Sequence, residues 1–540
     1  MLRSVLDTAK SGDHLRAGAL AEQALASGLE HPLLFNVAAL KAEREGRIPQ
    51  AERLLQRAVE IAPADVGARN ALALLCLTKL EQPREALRHI DAVLALDSSL
   101  PYAHTTRGNA LLAVGAVKEA EASFHRALEL QAAQPVALAG LAHIASRRGA
   151  FGEARKRAAA ALEMMPGFPD AVMSLAVAEL GERRPNRAET HIRALLADQR
   201  LSPLERTYAQ GLLGDILDAQ QKPGEAWEAY SACNTALRSM HAARFAGRES
   251  ALEYVRALTG YFERAPLGPW KSQPPAPAEP RRLTGVSAAR EHLFVLGFPR
   301  SGTTLLEVVL EGHPEVVSLE ENELLMHGVG EFMRSPEDVE RLVHADAGLL
   351  AALRAAYWQL VAQAGVDVSG KVFVDKYPLN TLKLPLIARL FPHAKILFAC
   401  RDPRDVVLSC FRRRFAMSAP IYELLTLEGA ARFYDAVMQF LIRMTTTLPL
   451  EVCLVRHEDV VTEFRREMKR ICEFLDLEWH SAMGDFALRT EERAVLTPST
   501  AQLMHGLNTE GLGQWRRYRE QLEPILPLLD AWVKRFGYDP

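Results

Sequence analysis

The chain has 540 residues, and 64 Lys plus Arg against 67 Asp plus Glu leave a formal net charge of −3, so nucleic acid is not an expected partner. Hydrophobic residues make up 49% and charged ones 24%, which excludes a disordered chain, and a prior of about 150 residues per domain suggests three or four units. Six scattered cysteines (Cys76, Cys233, Cys400, Cys410, Cys453, Cys472) with no CxxC argue against a disulfide framework or a zinc site, and with no apolar h-region and no run of 18 apolar residues a cytoplasmic protein without a transmembrane segment is expected.

The first 240 residues are rich in Ala, Leu, Glu and Arg with helical periodicity. Ala51, Ala86, Ala120, Ala154 and Ala188 follow one another at steps of 35, 34, 34 and 34 residues, with Ala17 one step before and Ala226 a looser step after. Four residues beyond each stands Ala21, Leu55, Ile90, Phe124, Ala158, Ile192 or Tyr230, so one face of a helix recurs. Glycines in AVGAV and SRRGAF mark turns between helices. A period of 34 with small residues at helix crossings resembles the tetratricopeptide repeat. That resemblance implies an all-α solenoid over residues 1–240 whose concave groove binds a protein or peptide.

Residues 241–289 read as a helical extension and a proline-rich linker, with six prolines among residues 265–281. Beyond it short apolar runs alternate with helical segments: EHLFVLGF (291–298), KVFVDK (371–376), AKILFAC (394–400) and EVCLVRH (451–457). This alternation predicts an α/β, P-loop-like domain with a mostly parallel sheet over residues 290–540, and functional groups at the carboxyl ends of its strands. A chain beginning near residue 282 is then expected to keep the ligand binding of this domain but to act poorly on its natural acceptor.

The first strand runs into Gly297-Phe298-Pro299-Arg300-Ser301-Gly302-Thr303-Thr304 and then an amphipathic helix. Small residues let the backbone curl around an anion, with the amides of 301–304, the Thr303 and Thr304 hydroxyls and the Arg300 guanidinium as donors. The spacing is that of a Walker A loop, but Thr303 stands where that motif has lysine, which weighs against a nucleotide hydrolase. At the end of the third run, Arg401-Asp402-Pro403-Arg404-Asp405 opens a helix that carries Ser409 two turns in. Arg401 and Ser409 are placed to reach one phosphate, whereas Arg412 and Arg414 read as a solvated basic face.

PRSGTT followed about a hundred residues later by RDPRDVVLS resembles the 5′-phosphosulfate loop and 3′-phosphate motif of sulfotransferases that use 3′-phosphoadenosine 5′-phosphosulfate (PAPS). The resemblance spans about residues 290–540 and is similar in detail to the tyrosylprotein sulfotransferases, which share a His-Pro pair (His313-Pro314) and a Glu-Glu pair (Glu320-Glu321) after the loop. It implies PAPS as co-substrate with no metal. Arg300, Ser301, Gly302, Thr303 and Thr304 would hold the phosphosulfate. Arg401, Ser409 and Arg413 would hold the 3′-phosphate, and Ser499 would help in the same site. Glu321 would be the general base and Lys376 the catalytic lysine beside Arg300.

The sequence departs from that family at two positions: His457 stands where it has a tyrosine near the adenosine, and Gln514 where it has a lysine before Trp515. The repeat array is foreign to the animal enzymes, and the combined architecture resembles a bacterial one. Glu320, Asp375 and His313 are the other base candidates. Asp375 reads rather as a loop-orienting aspartate and His313 as part of a helix terminus. A phosphotransferase or NTPase, and a repeat scaffold with a silent transferase domain, are the alternative readings. The acceptor hydroxyl, on a protein tyrosine, a glycan or a small molecule, stays open.

Overall fold

The computed structural model describes residues 1–271, 289–319, 321–486, 507 and 509–539. The chain divides into two compact units, Met1–His191 and Ile192–Pro540.

The first unit is all helical. Antiparallel pairs such as Pro101–Ala113 with Val117–Leu130, and Pro135–Arg147 with Phe151–Met164, recur at the period of the register alanines. Proline occupies the first turn of many of these helices, where its missing N–H costs nothing. Gly115 and Gly149, at φ +83° and +73°, end helices in the left-handed conformation, as the AVGAV and SRRGAF signals require. All seven register alanines, from Ala17 to Ala226, are fully buried. Phe124 shows why small residues recur: a Cβ added at Gly108 or at Gly140 would lie 2.5 Å from its ring. The aromatic therefore fits only because glycine lines both neighbouring helices.

The second unit opens with helices rather than with the sheet. Pro203–Ala219, Pro223–Phe245 and Ala251–Arg264 pack on the α/β domain that follows. Trp227 stacks on Phe411 at 4.6 Å between ring centroids, and Asn234 Nδ2 donates to the Phe411 carbonyl at 2.8 Å. Tyr254 OH donates to the Met333 carbonyl at 3.0 Å, and Arg443 Nε to that of Phe262 at 3.0 Å.

The sheet has five parallel strands: β1 Glu291–Gly297, β2 Val316–Leu319, β3 Val372–Lys376, β4 Lys395–Cys400 and β5 Glu451–Arg456, in the order β2-β3-β1-β4-β5. Four of them match the predicted runs. The fifth, β2, has only four residues between the His313-Pro314 corner and the Glu320-Glu321 pair, too short to announce itself. β1, β3 and β4 are buried on both faces, as a central parallel sheet demands. Leu293, Val295, Val374 and Leu397 point to a core shared with Val309 and Ile471, each stabilising the fold by roughly 1.5–3 kcal/mol. The carboxyl ends of β1, β3, β4 and β5 present Gly297, Lys376, Cys400 and Arg456 at one edge.

Candidate functional site

The loop after β1 enters the helix Thr303–Leu310 through two residues at positive φ, Arg300 at +72° and Gly302 at +98°. A non-glycine residue in that region costs on the order of 1–3 kcal/mol, so the turn is held by its surroundings. A Cβ at Gly302 would sit 2.5 Å from His457 Nδ1, which makes glycine obligatory there. Ser301 N donates to the Phe298 carbonyl at 3.1 Å and so shapes the turn. The amides of 302–304 form the first helical turn, whose N–H groups point out of the helix end. Ser301, Gly302, Leu305, Ala399, Val455 and His457 line a small crevice against it.

Three of the predicted cofactor residues meet at this loop. Arg300 Nε donates to Ser409 Oγ at 3.0 Å, and Arg401 Nη1 donates to the Arg300 carbonyl at 3.4 Å. Arg401 Nη2 also donates to the Gly511 carbonyl, and Asp405 Oδ2 lies 3.8 Å from it. Both arginines are buried. Burial, reinforced by Arg413 and Arg401, pushes the Arg300 guanidinium down to about 9. Burial, with Arg401 and Arg300, pushes the His457 ring down to about 3, so it is neutral at pH 7. Buried Arg401 Nε has no hydrogen-bond partner among the described residues. A cluster of mutually repelling buried cations with an unpaired donor suits a phosphorylated anion, and the residues present therefore fit such a ligand.

The second half of the site lies at the end of β3. Lys376 is fully buried, and its Nζ donates to Glu321 Oε1 at 2.7 Å and lies 3.3 Å from Glu307 Oε2. Burial works against the ammonium, but Glu307 and Glu321 outweigh it and hold its pKa above the ordinary value. Glu321 is not on a helix; its side chain is 41% exposed, so one end of the pair faces solvent. Asp375 behaves as a loop holder, accepting from Tyr357 OH at 2.8 Å and Asn380 Nδ2 at 3.3 Å. Burial pushes its carboxyl up to about 7. His313 is engaged with the Glu478 carbonyl at 3.0 Å and the Glu315 amide at 3.1 Å. Ser499 and Glu320 lie outside the described residues.

One expectation is overturned. Arg412 and Arg414 are not a solvated face: Arg412 Nη2 donates to Asp218 Oδ2 at 2.5 Å, and Arg414 Nη2 to Asp215 Oδ2 at 2.6 Å. Both aspartates come from the helix Pro203–Ala219, so the charge run is neutralised by residues almost two hundred positions away. Arg413 Nη1 lies 3.8 Å from Asp215 Oδ1 with its side chain 26% exposed. The residues that sequence reasoning missed are Glu307, Asp405, Asp215 and Asp218. Only Glu307 left a signal, as the lone charge in the otherwise uncharged helix TTLLEVVL.

Residues 292–481 match the model of the sulfotransferase family, so the second unit carries a sulfotransferase-family domain. Within that class the similar proteins include Protein-tyrosine sulfotransferase 1 of Danio rerio, 24% identical over 46% of this chain and 72% of its own length. Protein-tyrosine sulfotransferase A of Caenorhabditis elegans is 25% identical over 47% of this chain and 69% of its own. An uncharacterized protein of Aquifex aeolicus is 26% identical over 46% of this chain, and the match spans only 33% of that protein. Among solved structures, a tetratricopeptide repeat protein from Parabacteroides merdae aligns with 44% of this chain and 91% of its own, at 18% identity and a TM-score of 0.35. Among the described residues no helix is long and apolar enough to cross a membrane, and no group of three or more His, Cys, Asp or Glu side chains is placed to hold a metal ion.

Proposed function

We propose that this protein transfers a sulfuryl group from PAPS to an acceptor hydroxyl, that the acceptor is a tyrosine of a protein, and that the repeat array recruits that protein or a partner that delivers it. The observation that carries the reading is the convergence of two groups on one sheet edge: Arg300, Arg401 and Ser409 on one side, Lys376 with Glu321 on the other. Such an arrangement serves in-line displacement, which depends on positioning and on neutralising the leaving phosphate. PAPS would supply the activated sulfuryl group and a phosphate leaving group.

Arg300, Ser301, Gly302, Thr303 and Thr304 would hold the phosphosulfate end, the last three through helix-terminal amides. Arg401, Ser409 and Arg413 would hold the 3′-phosphate; the unpaired Arg401 Nε supports this assignment. The buried Lys376 ammonium neutralises charge at the carboxyl end of β3. Glu321, whose carboxylate reaches solvent, accepts the proton of the attacking hydroxyl at Oε. Glu307 keeps Lys376 paired when Glu321 takes up that proton. Tyrosine as acceptor rests on the names of the relatives, and recruitment rests on the repeat register together with the groove that such solenoids present. Six free, buried cysteines support a reducing compartment such as the cytoplasm.

The test is to incubate the full chain with sulfur-labelled PAPS and cell extract and to identify the labelled product. A label on protein tyrosine is the expected result. A label on a glycan or small molecule would reassign the acceptor, and tighter binding of ATP than of adenosine 3′,5′-bisphosphate would overturn the donor.

A further inference from the structure

The helix Pro203–Ala219 carries Asp215 and Asp218 three residues apart, hence on one face, and that face meets the Arg412-Arg413-Arg414 run. Asp218 is buried and holds more than Arg412. Its Oδ1 accepts from Tyr518 OH at 2.6 Å and lies 3.0 Å from Arg517 Nη2. Arg412 in turn reaches Gln514 Oε1 with Nη1 at 2.9 Å. Its guanidinium stands 5.5 Å from the ring centroids of both Tyr230, from the next repeat-register helix, and Tyr518.

The segment fixed in this way is the one that closes on the arginine cluster. Gly513 N and Trp515 N donate to the two oxygens of Asp405 at 2.6 and 2.8 Å, and the Gly511 carbonyl accepts from Arg401. A continuous set of contacts thus runs from Asp218 through Arg412 and Tyr518 to residues 511–518 and on to Arg401. A repeat-type helix that served only to stack would not need a buried aspartate shared between two arginines and a tyrosine. Such a charge is expensive unless its partners are held in one geometry.

We infer that Asp218 is a positioning residue of the anion site: it fixes Arg412 and Tyr518, and through them the 511–518 segment against which Arg401 is set. The helix pair Pro203–Phe245 then belongs functionally to the transferase, even though it continues the repeat register at Ala226. A chain beginning near residue 282 would lose Asp218, Trp227 and Asn234 together, so the functional boundary of the transferase falls near Ile192. The ligand part of this inference rests on the reading of Arg401 as a 3′-phosphate residue; the placement of the segment does not.

The experiment uses the full chain and its Asp218→Ala and Asp218→Asn variants, the second guarding against failure to fold. Hydrogen exchange at Gly513 N and Trp515 N reads the segment directly. In Asp218→Ala it should rise by about tenfold or more, because the order of the segment is lost locally. Calorimetry with adenosine 3′,5′-bisphosphate should show binding weaker by about tenfold or more, since small misplacements of a binding group are costly. Binding of adenosine 5′-monophosphate, which lacks the 3′-phosphate, should hardly change. In turnover the KM for PAPS rises while kcat at saturation is kept, and Asp218→Asn, which retains one acceptor oxygen but neither the second oxygen nor the counter-charge, recovers only part of the affinity.

Unchanged exchange at both amides overturns the inference. So does equal weakening of both nucleotides with a parallel fall in melting temperature, which is the mark of a merely structural role. If the parent binds neither nucleotide, the donor assignment falls, and the exchange data alone decide whether Asp218 positions the segment.

Discussion

The two units handle charge in opposite ways. In the repeat array the buried positions are mostly apolar, with Glu179 the one buried acid among the described residues, and its ion pairs have at least one partly exposed partner and are mostly local: Arg57 with Glu60, Arg88 with Glu85, Arg126 with Glu129. Pairs of that kind contribute little. Around the sheet edge the reverse holds. Arg300, Lys376, Arg401, Arg404 and Arg412 are all buried, and except for Arg404, whose carboxylate partner is the neighbouring Asp402, each has a partner from a distant part of the chain. Lys376 meets Glu307 and Glu321, Arg401 meets the Gly511 carbonyl, and Arg412 meets Asp218. A solenoid gains stability by repeating one apolar contact. A site of this kind spends stability to keep cations out of water, which is worthwhile only where an anion or a proton transfer uses them.

The largest effect that separates the two regions is on rate. Glu321→Gln should lower sulfuryl transfer by roughly 10²–10⁴-fold, the range for loss of a general base. Adenosine 3′,5′-bisphosphate should bind as before, and the fold should persist because Glu307 still pairs with Lys376. The check is turnover with labelled PAPS beside calorimetry. An active Glu321→Gln with a dead Glu320→Gln would move the base by one residue.

Next comes stability around the buried cations. Asp402 caps the helix Pro403–Arg412 by accepting from Arg404 N at 3.0 Å, and it also takes Arg404 Nε at 2.9 Å and Nη2 at 2.7 Å. Asp402→Ala leaves the Arg404 guanidinium buried without its carboxylate, with the Asp539 carbonyl at 2.7 Å and the Trp515 ring at 4.0 Å as its remaining contacts among the described residues. Breaking a buried pair in this way costs about 3–5 kcal/mol. Urea unfolding followed by tryptophan fluorescence of the second unit measures it.

The difference between the units also decides what could be read from the sequence. Periodicity exposes the array, because every repeat states the same rule again and Ala120 or Phe124 needs only its neighbours to be understood. It also exposes β1, β3, β4 and β5, whose apolar runs are long enough to count. The loop and Arg401 are legible because glycine, threonine and arginine at a strand end answer a local geometric need. Asp218 and Asp405 are not legible: each acts on a group more than a hundred residues away, and nothing in a helical pattern marks an aspartate that will be buried against an arginine. Reading Arg412 and Arg414 as solvated failed for that reason.

A smaller effect concerns pH. Burial, with Arg401 and Arg300 beside it, depresses the His457 ring from an ordinary 6.5 to about 3. A base held neutral in the folded state contributes stability that is present above about pH 6.5 and is lost as pH falls through 6.5 toward 3, because only the unfolded chain takes up the proton. Between pH 7 and pH 5 this one group should cost the second unit about 2 kcal/mol. Urea titrations at both pH values, repeated on His457→Gln, isolate it: the variant should lose less on acidification than the parent. Equal losses would show that the ring titrates normally.

The smallest expected effect uses the same chemical device as Asp402 but places it in the array. Asp65 caps the helix Val66–Thr78 by accepting from Ala68 N at 2.8 Å. Among the described residues its carboxylate pairs with no buried cation, so Asp65→Ala removes one cap hydrogen bond and some favourable charge at a helix start, together about 1 kcal/mol. In a linear array that loss should stay near its origin, since each repeat is stabilised by its own helices and its two neighbours. Hydrogen exchange should therefore quicken in the helix Val66–Thr78 and the pair it joins, while nucleotide binding by the second unit is unchanged. Asp65→Asn should restore most of the loss, because an asparagine oxygen caps nearly as well. Asp402→Asn should not restore Asp402 in the same way, for there the lost quantity is a counter-charge rather than a cap. If Asp65→Ala proves as costly as Asp402→Ala, the aspartate in the array has a buried partner of its own, and the division between a locally stabilised solenoid and a charge-burdened site breaks down.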